Sequence, residues 1–390
     1  MITNGLLPVP SVKGGAVELL TDILISENEN KKDFEYVVFS VYDELAIEKS
    51  KQYKYTKFEW IRTDNIIYSI SKVYRYLINR YTTFSLESAY IHQVINKLEN
   101  VNFLFDTIIV QNKPEFGPFL RKVFPDKKII LHLHNDFLNK NTKKSFDIKA
   151  SYDRIFCISK WLQSRVDQIN NNSNTELLYN GIDVRKFYNV DPKIIRETRQ
   201  MYNIEENMFT VLYTGRIVEE KGVLELSKAI HKARKYNNNI KLIITAEDKD
   251  SQRISPYLKK IHDILDEDDV IYTGKLDYEE VVKLTAAVKL GVVPSMWEEP
   301  LALTSIEHMA CSHPVIITKS GGLIETVDSK SAIILDKENK NQFIDELSEN
   351  ILILSKDEMK LTEMGRNAKS RSAFFDKKNY VNRFVSLVKE

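Results

Sequence analysis

Two patterns of apolar and polar positions alternate along this chain. Short compact runs of β-branched and aliphatic residues recur, and longer stretches with apolar residues at helical spacing separate most of them. This alternation predicts an α/β protein with parallel sheets covered by helices on both faces. The predicted strands are Tyr36–Val41, Thr107–Gln111, Lys128–His134, Arg154–Ser159, Phe209–Thr214, Lys241–Thr245, Val270–Thr273, Leu290–Pro294, Val315–Thr318 and Ala332–Leu335.

The strand–helix pattern restarts near Phe209, which predicts two units of similar construction. We expect one domain over residues 1–187 and a second over 188–374, with the polar segment Ile182–Asn207 as the linker. Residues 375–390 form the end of an amphipathic stretch and are expected to cross back as a helix onto the first domain. Only Met1–Gly5 precede the first loop, so the first strand is very short or the protein starts upstream.

Length and composition agree with two ordinary globular domains. The chain has 390 residues, of which 43% are hydrophobic and 28% are charged. A formal charge of +1 provides no global attraction to nucleic acid, so we expect no nucleic-acid partner. The only two cysteines, Cys157 and Cys311, are far apart, which fits a reducing compartment and excludes a cysteine-rich zinc site.

The chain shows no sign of secretion or of a membrane span. A charged segment followed by an apolar one is missing from the amino terminus, and no apolar run approaches the ~20 residues of a membrane helix. We expect a cytoplasmic protein, either free or peripheral on the inner face of the membrane. The stretch Ile66–Tyr81 has one apolar face and could lie on a membrane beside a lipid-linked acceptor, although packing against the core is the commoner use of this pattern.

The segment from Pro294 to Glu307 has the strongest chemical signal. Glu299 and Glu307 are eight residues apart, between the end of a predicted strand and a helix that begins near Leu301. The helix amino terminus would favour phosphate, Glu299 could accept bonds from sugar hydroxyls, and Glu307, almost two turns into the helix, could reach a ribose. The alternative interpretation is that one of these two glutamates caps the helix and the other is a solvated surface charge.

A second segment, Tyr213–Gly222, places two cations after the strand Phe209–Thr214. Arg216 and Lys221 are expected at the same edge of the sheet as Glu299, where they would neutralise a diphosphate. Two solvated surface charges are the alternative, and the shared location favours the phosphate site.

Three weaker signals lie at other predicted strand ends. Gly14–Gly15 and the turn Ser320–Glu325 are glycine-rich, which allows a ligand to approach the backbone closely, although such turns are often only turns. His132 and His134 share one face of a strand, and His134 stands at its exit, which makes it the better candidate for contact with substrate. No third ligand stands at zinc-site spacing, so no metal site is expected.

Taken together and in this order, these motifs resemble the family-four glycosyltransferases. The resemblance covers nearly the whole chain and is strongest from Tyr213 to Glu325, including the two glutamates eight residues apart. It implies the GT-B fold, in which two Rossmann-like domains face a central cleft and the last helix crosses back to the first domain. It also implies a hexosyltransferase that retains anomeric configuration.

The same resemblance implies roles for individual residues. Arg216 and Lys221 would bind the donor diphosphate, Glu307 the ribose, and Glu299 the donor sugar, while Gly15 would approach the donor from the other domain. Lys275 and Leu276 would border the base, and His134 would contact the sugar near the reacting carbon. The implied catalytic residues are His134, Glu299, Arg216 and Lys221. The implied donor-binding residues are Gly14, Gly15, Arg216, Lys221, Lys275, Leu276, Glu299, Pro300, Leu301, Ala302, Leu303, Thr304 and Glu307.

Two positions depart from the family pattern. Ala302 stands where the family has glycine, and its methyl group is expected to alter sugar preference. Ser312–His313 replace a small Ala-Gly pair and are expected to alter packing.

The expected reaction moves a sugar from a UDP- or GDP-linked donor to a glycan or lipid-linked acceptor, in cell-surface polysaccharide synthesis. No metal or other cofactor is expected. A GT-B-fold sugar-nucleotide epimerase and a non-catalytic sugar-nucleotide-binding or coat protein remain as alternatives.

Overall fold

The computed structural model of the protein describes residues 1–63, 89–100, 104–170, 172–245 and 255–390. These residues form two compact units. The first contains Met1–Tyr179 together with Tyr380–Glu390, and the second contains Asn180–Asn379. The amphipathic stretch Ile66–Tyr81 lies outside the described residues, so both interpretations of it stay predictions.

The strands are β1 Tyr36–Val41, β2 Thr56–Ile61, β3 Thr107–Gln111, β4 Lys128–Leu133, β5 Arg154–Cys157, β6 Thr175–Leu177, β7 Phe209–Thr214, β8 Ile240–Thr245, β9 Val270–Tyr272, β10 Leu290–Val293, β11 Val315–Thr318 and β12 Ala332–Leu335. The helices are α1 Ala16–Lys31, α2 Glu44–Ser50, α3 Ala89–Glu99, α4 Gly117–Val123, α5 Ser145–Ala150, α6 Lys160–Asp167, α7 Val184–Tyr188, α8 Pro192–Met201, α9 Val223–Arg234, α10 Pro256–His262, α11 Tyr278–Ala287, α12 Leu303–Ala310, α13 Lys340–Lys356, α14 Glu358–Ser372 and α15 Lys377–Lys389.

A very short first strand joins the sheet of the first unit. Ile2 forms parallel bridges to Phe39 of β1 and to Val110 of β3, so the order is β2–β1–Ile2–β3–β4–β5–β6. Counted from Ile2, this is the Rossmann order 3-2-1-4-5-6 with one further strand. The hydrophobic pattern did not predict β2 and β6. Strand β2 was missed because it carries the charged residues Lys57 and Glu59, and β6 was missed because it is only three residues long.

The second unit repeats this arrangement. Its six parallel strands lie in the order β12–β11–β10–β7–β8–β9, which is again the Rossmann order when β7 is counted as the first strand. Central strands are buried along their length, as the compact apolar runs predicted. The carboxyl ends of β7 and β10 are neighbours because Leu290 pairs with Val211.

The polar segment predicted as a linker is helical and belongs to the second unit. Phe187 at the end of α7 packs edge-to-face on Tyr278, with ring centroids 6.2 Å apart. Arg199 in α8 donates to the carbonyl of Ala287, at 2.9 Å. The linker prediction was wrong because these short helices bury only a narrow face. In α8 the buried residue is Thr198, so the sequence of this segment is mostly polar although it is helical.

The predicted amphipathic carboxyl-terminal helix is α15, and from Tyr380 onward it belongs to the first unit. Phe384 packs on Phe156 of β5, with centroids 6.0 Å apart. Lys128 Nζ donates to the carbonyl of Val388 at 2.9 Å. Among the residues that the structure describes, no helix combines the length and the apolar character needed to cross a membrane.

Candidate functional site in the second unit

Two loops meet at the carboxyl edge of the second sheet, because the strands that precede them are neighbours. One follows β7 and the other follows β10. The backbone N–H of Met296 donates to the carbonyl of Glu220 at 2.8 Å and joins the two loops directly. The parallel topology therefore brings the Arg216–Lys221 segment and the Glu299 segment together, as ligand sites in open parallel sheets require.

Gly222 permits this close approach. It has a φ of 69°, and a Cβ atom at this position would lie 1.9 Å from the carbonyl oxygen of Pro294. Any side chain would therefore push the two loops apart, and only glycine adopts this backbone conformation without strain. The residue also precedes α9, so it sets where that helix begins.

Glu299 is a buried carboxylate and not a surface charge. It lies in the loop before α12, and the residue is 4% exposed. One carboxylate oxygen, Oε1, forms an ion pair with Lys221 Nζ and accepts a hydrogen bond from Ser295 Oγ at 2.6 Å. The Lys221 ammonium also lies 5.0 Å from the ring centroid of Trp297. These contacts fix both charges at a single point of the loop pair.

The two cations predicted at this edge have different surroundings. Lys221 is neutralised by Glu299, whereas the Arg216 side chain is exposed and has no hydrogen bond or ion pair within the described residues. The Arg216 carbonyl accepts a 2.6 Å hydrogen bond from the Tyr213 hydroxyl, which fixes the backbone of the turn. Arg216 is thus the cation of the pair that is free to meet an anionic ligand.

The glycine-rich turn after β11 holds the Glu299 backbone. Glu299 N–H donates to Ser320 Oγ at 3.1 Å, and Gly322 N–H donates to the Glu299 carbonyl at 2.7 Å. Gly321 has a φ of 46°, and a Cβ atom there would lie 2.4 Å from the Glu299 carbonyl oxygen. The predicted turn Ser320–Glu325 therefore supports the loop through its backbone and through one hydroxyl group.

Sequence reasoning did not single out three side chains of this network. They are Ser295, Trp297 and Lys337. The first two lie inside the Pro294–Glu307 segment, where their proximity to Glu299 was a usable signal. Lys337 follows β12, two strands from β10, so only the folded sheet brings it to the loop.

Helix α12 begins at Leu303, two residues later than predicted. Glu307 therefore lies a little more than one turn into the helix, not almost two. Ala302 precedes the helix in extended conformation and supplies no side-chain cap. The first-turn N–H groups, including those of Leu303 and Thr304, are consequently left for an external acceptor, which suits an anion.

Glu307 is buried without a partner. The residue is 7% exposed, and its carboxylate has no hydrogen bond or ion pair within the described part of the chain. Burial raises the pKa of this carboxyl to about 7. Buried carboxylates normally have hydrogen-bond partners, so an unpartnered one is able to accept a hydrogen bond from a ligand hydroxyl.

Lys275 and Leu276 follow β9, at the same carboxyl edge of the sheet. Lys275 is exposed. Leu276 is half-buried and packs against the cluster that contains Leu212 and Ile243. The structure thus places an apolar side chain and a cation at this corner of the second unit.

Candidate residues in the first unit

Gly14 and Gly15 form the turn that enters α1. Their φ angles are 78° and 96°, which favour glycine at both positions. A Cβ atom on Gly15 would lie 2.1 Å from Glu18 Oε2, whereas one on Gly14 would meet no atom within 4 Å. The Glu18 carboxylate is itself buried and accepts a 2.7 Å bond from Asn4 Nδ2, so this turn is a fixed structure.

His134 follows β4 directly, at the carboxyl edge of the first sheet. Its backbone N–H donates to Asn112 Oδ1 at 2.9 Å, and its Nε2 lies 3.3 Å from Gln111 Oε1. The rings of His132 and His134 are 4.0 Å apart, in agreement with their predicted common face. Burial, and then the neighbouring His134, hold the pKa of His132 well below its usual value.

Within the described residues, no group of three or more His, Cys, Asp or Glu side chains is arranged to hold a metal ion.

Similarity to known proteins

Residues 194–371 match the sequence model of the family described as glycosyl transferases group 1. Among curated proteins, the lipopolysaccharide 1,2-N-acetylglucosaminetransferase of Salmonella typhimurium is 27% identical over 262 residues, 66% of each chain. Spore coat protein SA of Bacillus subtilis is 23% identical over 363 residues, 90% of this chain and 88% of the relative.

A solved structure of Anabaena HepE in complex with UDP-glucose superposes with a TM-score of 0.76 at 18% identity, over 100% of this chain and 98% of the other. This likeness shows the fold, which is GT-B, and agrees with the two Rossmann-like units. The chain therefore has the GT-B fold, its residues 194–371 match the model of group 1 glycosyl transferases, and these similarities show a glycosyltransferase enzyme.

Proposed function

We propose that this enzyme transfers a hexosyl sugar from a UDP- or GDP-linked donor to a glycan or lipid-linked acceptor, with retention of configuration. The observation that carries the proposal is the buried, unpartnered carboxylate of Glu307, one turn inside a helix whose first N–H groups have no side-chain cap. This combination offers an acceptor for sugar hydroxyls beside donors for phosphate.

In this proposal each part of the donor has its own contacts in the second unit. Arg216 and Lys221 bind the diphosphate together with the N–H groups of Leu303 and Thr304. Glu307 accepts the ribose hydroxyls. The full set around the sugar and base comprises Glu299, Pro300, Leu301, Ala302, Lys275 and Leu276.

We assign the first unit to the acceptor side. Gly14 and Gly15 would approach the donor through their backbone, and His134 would contact the sugar near the reacting carbon. The sequence placed the acceptor-side domain at residues 1–187 with 375–390 and the donor domain at 188–374, whereas the compact units divide after Tyr179 and before Tyr380, and we assign the roles to these units.

The chemistry that these residues support is charge stabilisation. Departure of the nucleoside diphosphate develops negative charge on its β-phosphate, and preorganised cations and helix N–H groups offset that charge. We assign no enzyme nucleophile. A phosphate oxygen of the leaving group takes the proton of the acceptor hydroxyl as the new glycosidic bond forms on the same face, so no cofactor is required.

Three observations support the donor nucleotide, the pathway and the cellular location that we propose. HepE was solved with UDP-glucose, which favours a UDP-linked donor. The Salmonella relative is a lipopolysaccharide N-acetylglucosaminetransferase, which favours cell-surface polysaccharide synthesis. Both cysteines are free thiols, as in a reducing compartment, which supports a cytoplasmic enzyme, free or peripheral on the membrane.

One assay separates this function from its alternatives. Purified protein is incubated with UDP- and GDP-sugars, with and without glycan and lipid-linked acceptors. We expect release of nucleoside diphosphate that depends on the acceptor. Isomerisation of the donor in the absence of acceptor would identify an epimerase. Donor binding without turnover would identify a non-catalytic binding or coat protein, and the similarity to spore coat protein SA makes this the second candidate.

A further inference from the structure

Lys337 makes three polar contacts with two separate segments at the carboxyl edge of the second sheet. Its Nζ lies 2.8 Å from Glu298 Oε1, 2.8 Å from the carbonyl oxygen of Trp297 and 3.1 Å from Ser320 Oγ. The side chain is 13% exposed. An ammonium group has three donors, and here each of the three has an acceptor.

These contacts join the loop that carries Glu299 to the glycine-rich turn. Besides the Glu299 and Gly322 bonds described above, Gly321 N–H donates to Glu298 Oε2 at 2.6 Å, and Ser320 Oγ donates to the carbonyl of Trp297. We call the contact between the Glu299 loop and the glycine-rich turn Ser320–Glu325 the seam. Lys337 contacts both of its sides and is the only cation that pairs with the Glu298 carboxylate among the described residues. It therefore fixes the residues on the amino-terminal side of Glu299.

We infer that Lys337 is a positioning residue, which holds the Glu299 carboxylate in place for the donor sugar. This rests on the proposed function, since Glu299 is assigned to the sugar only there. Lys337 acts through the backbone of Trp297 and through Glu298, and it has no role in binding the nucleotide. Its loss should therefore affect the sugar and leave the nucleoside diphosphate site intact.

The donors and acceptors of the other hydrogen bonds in the seam remain when Lys337 is replaced. Ser320 can still bridge the Trp297 carbonyl and the Glu299 N–H, and both glycine N–H groups still have acceptors, but these bonds should open more often without Lys337. Lys337→Met should thus fold, while the loop samples displaced positions. Displacements of about 1 Å at a reacting centre can lower the rate by up to roughly a hundredfold.

The kinetic experiment compares Lys337→Met with Lys340→Met and Lys337→Arg. Lys340 is an exposed lysine nearby, 3.7 Å from Glu225, and serves as the matched control. We expect Lys337→Met to lower kcat about tenfold or more with unchanged UDP affinity, Lys340→Met to match the parent, and Lys337→Arg to restore part of kcat. A parent-like kcat in Lys337→Met, or equal losses of kcat and UDP affinity, would overturn the inference.

A second measurement does not depend on turnover. Hydrogen exchange followed by mass spectrometry should show faster exchange in Lys337→Met for peptides that contain the N–H groups of Glu299, Gly321 and Gly322, with other peptides unchanged. Unaltered exchange there overturns the inference even if the protein is inactive. An inactive parent with the expected exchange pattern refutes the proposed function and leaves the positioning role of Lys337 standing.

Discussion

The Lys221 ammonium and the Glu299 carboxylate form an ion pair, although one is assigned to the donor phosphate and the other to the donor sugar. Glu299 is almost fully buried, and the ion pair offsets part of the energetic cost of burying its carboxylate. A bound donor would insert beside this pair, with phosphate oxygens near the ammonium and sugar hydroxyls near the carboxylate. In the proposed function, this pair therefore sets where the phosphate–sugar junction of the donor lies.

Removing the cations should weaken binding of the nucleoside diphosphate. Because a charge-assisted hydrogen bond contributes roughly 1.5–3 kcal/mol, Arg216→Ala and Lys221→Ala should each lower affinity about ten- to a hundredfold. Arg216 should be the costlier loss, since its guanidinium has no partner among the described residues and can bind in bidentate fashion. Calorimetry with UDP and GDP measures both. Unchanged affinity in the double variant would refute the phosphate assignment.

Replacing Glu299 should affect turnover more than nucleotide binding. Glu299→Gln keeps the size of the side chain and can still bond to Ser295, but it releases Lys221 from its ion pair. We expect a lower kcat, with UDP affinity equal to or tighter than that of the parent. Glu349→Gln is the matched control, since this glutamate is exposed on α13, away from the loop. Weaker UDP binding in Glu299→Gln would contradict this placement of the sugar.

Glu307 should impose a pH dependence on stability. Its pKa is raised from 4.5 to about 7, so the folded state holds the proton more tightly and stability falls as pH rises between those values. Because one pKa unit corresponds to about 1.4 kcal/mol, Glu307→Gln should gain roughly 3 kcal/mol relative to the parent between pH 4 and pH 8. Denaturant unfolding at several pH values measures this. A constant difference, like that expected for exposed Glu349→Gln, would mean that the pKa of Glu307 is not raised by folding.

The same variant should separate donor binding from turnover. If Glu307 holds the ribose, a part of the donor that does not react, its contact is equal in the ground and transition states. Glu307→Gln should therefore raise the donor KM at pH 7.5 and leave kcat close to that of the parent, in steady-state kinetics at saturating acceptor. A lower kcat with an unchanged KM would exchange the roles of the two glutamates.

Glycines 222 and 14 should respond differently to alanine. Both have positive φ angles, so each substitution strains the backbone by roughly 1–2 kcal/mol. Only at Gly222 does the added methyl group also collide with a carbonyl oxygen, that of Pro294. Thermal unfolding followed by circular dichroism should show a clearly larger loss for Gly222→Ala. Equal losses would mean that the two loops do not meet as the structure describes.

Turnover should not require a divalent metal. The cations Arg216 and Lys221 and the first turn of α12 are proposed to stabilise the leaving diphosphate. We expect the rate with excess EDTA to equal that of the untreated enzyme. Loss of activity on chelation that magnesium or manganese restores would refute this part of the mechanism.

Much of this protein could be predicted from local sequence, because a buried parallel strand must be a compact apolar run wherever it lies. Ten strands were found in this way, most with ends within one or two residues, and both glutamates, both cations and the glycine turns follow strands as expected. Parallel topology then places all strand ends at one edge, so their common location in each unit followed from the pattern alone. Polar segments with a narrow buried face, such as α8 and β2, could not be recognised in this way.

Only the tertiary structure decided how these residues are paired. Nothing in the spacing of Lys221 and Glu299 predicts an ion pair, and nothing marks Lys337 among the many lysines of the chain. Contacts also distinguish the two buried glutamates, since Glu299 has a cation and a hydroxyl while Glu307 has no partner in the described residues. Sequence determines which groups reach the edge of a sheet. Contacts across neighbouring strands, which are distant in sequence, determine the charge and the hydrogen bonds of each group once it is there.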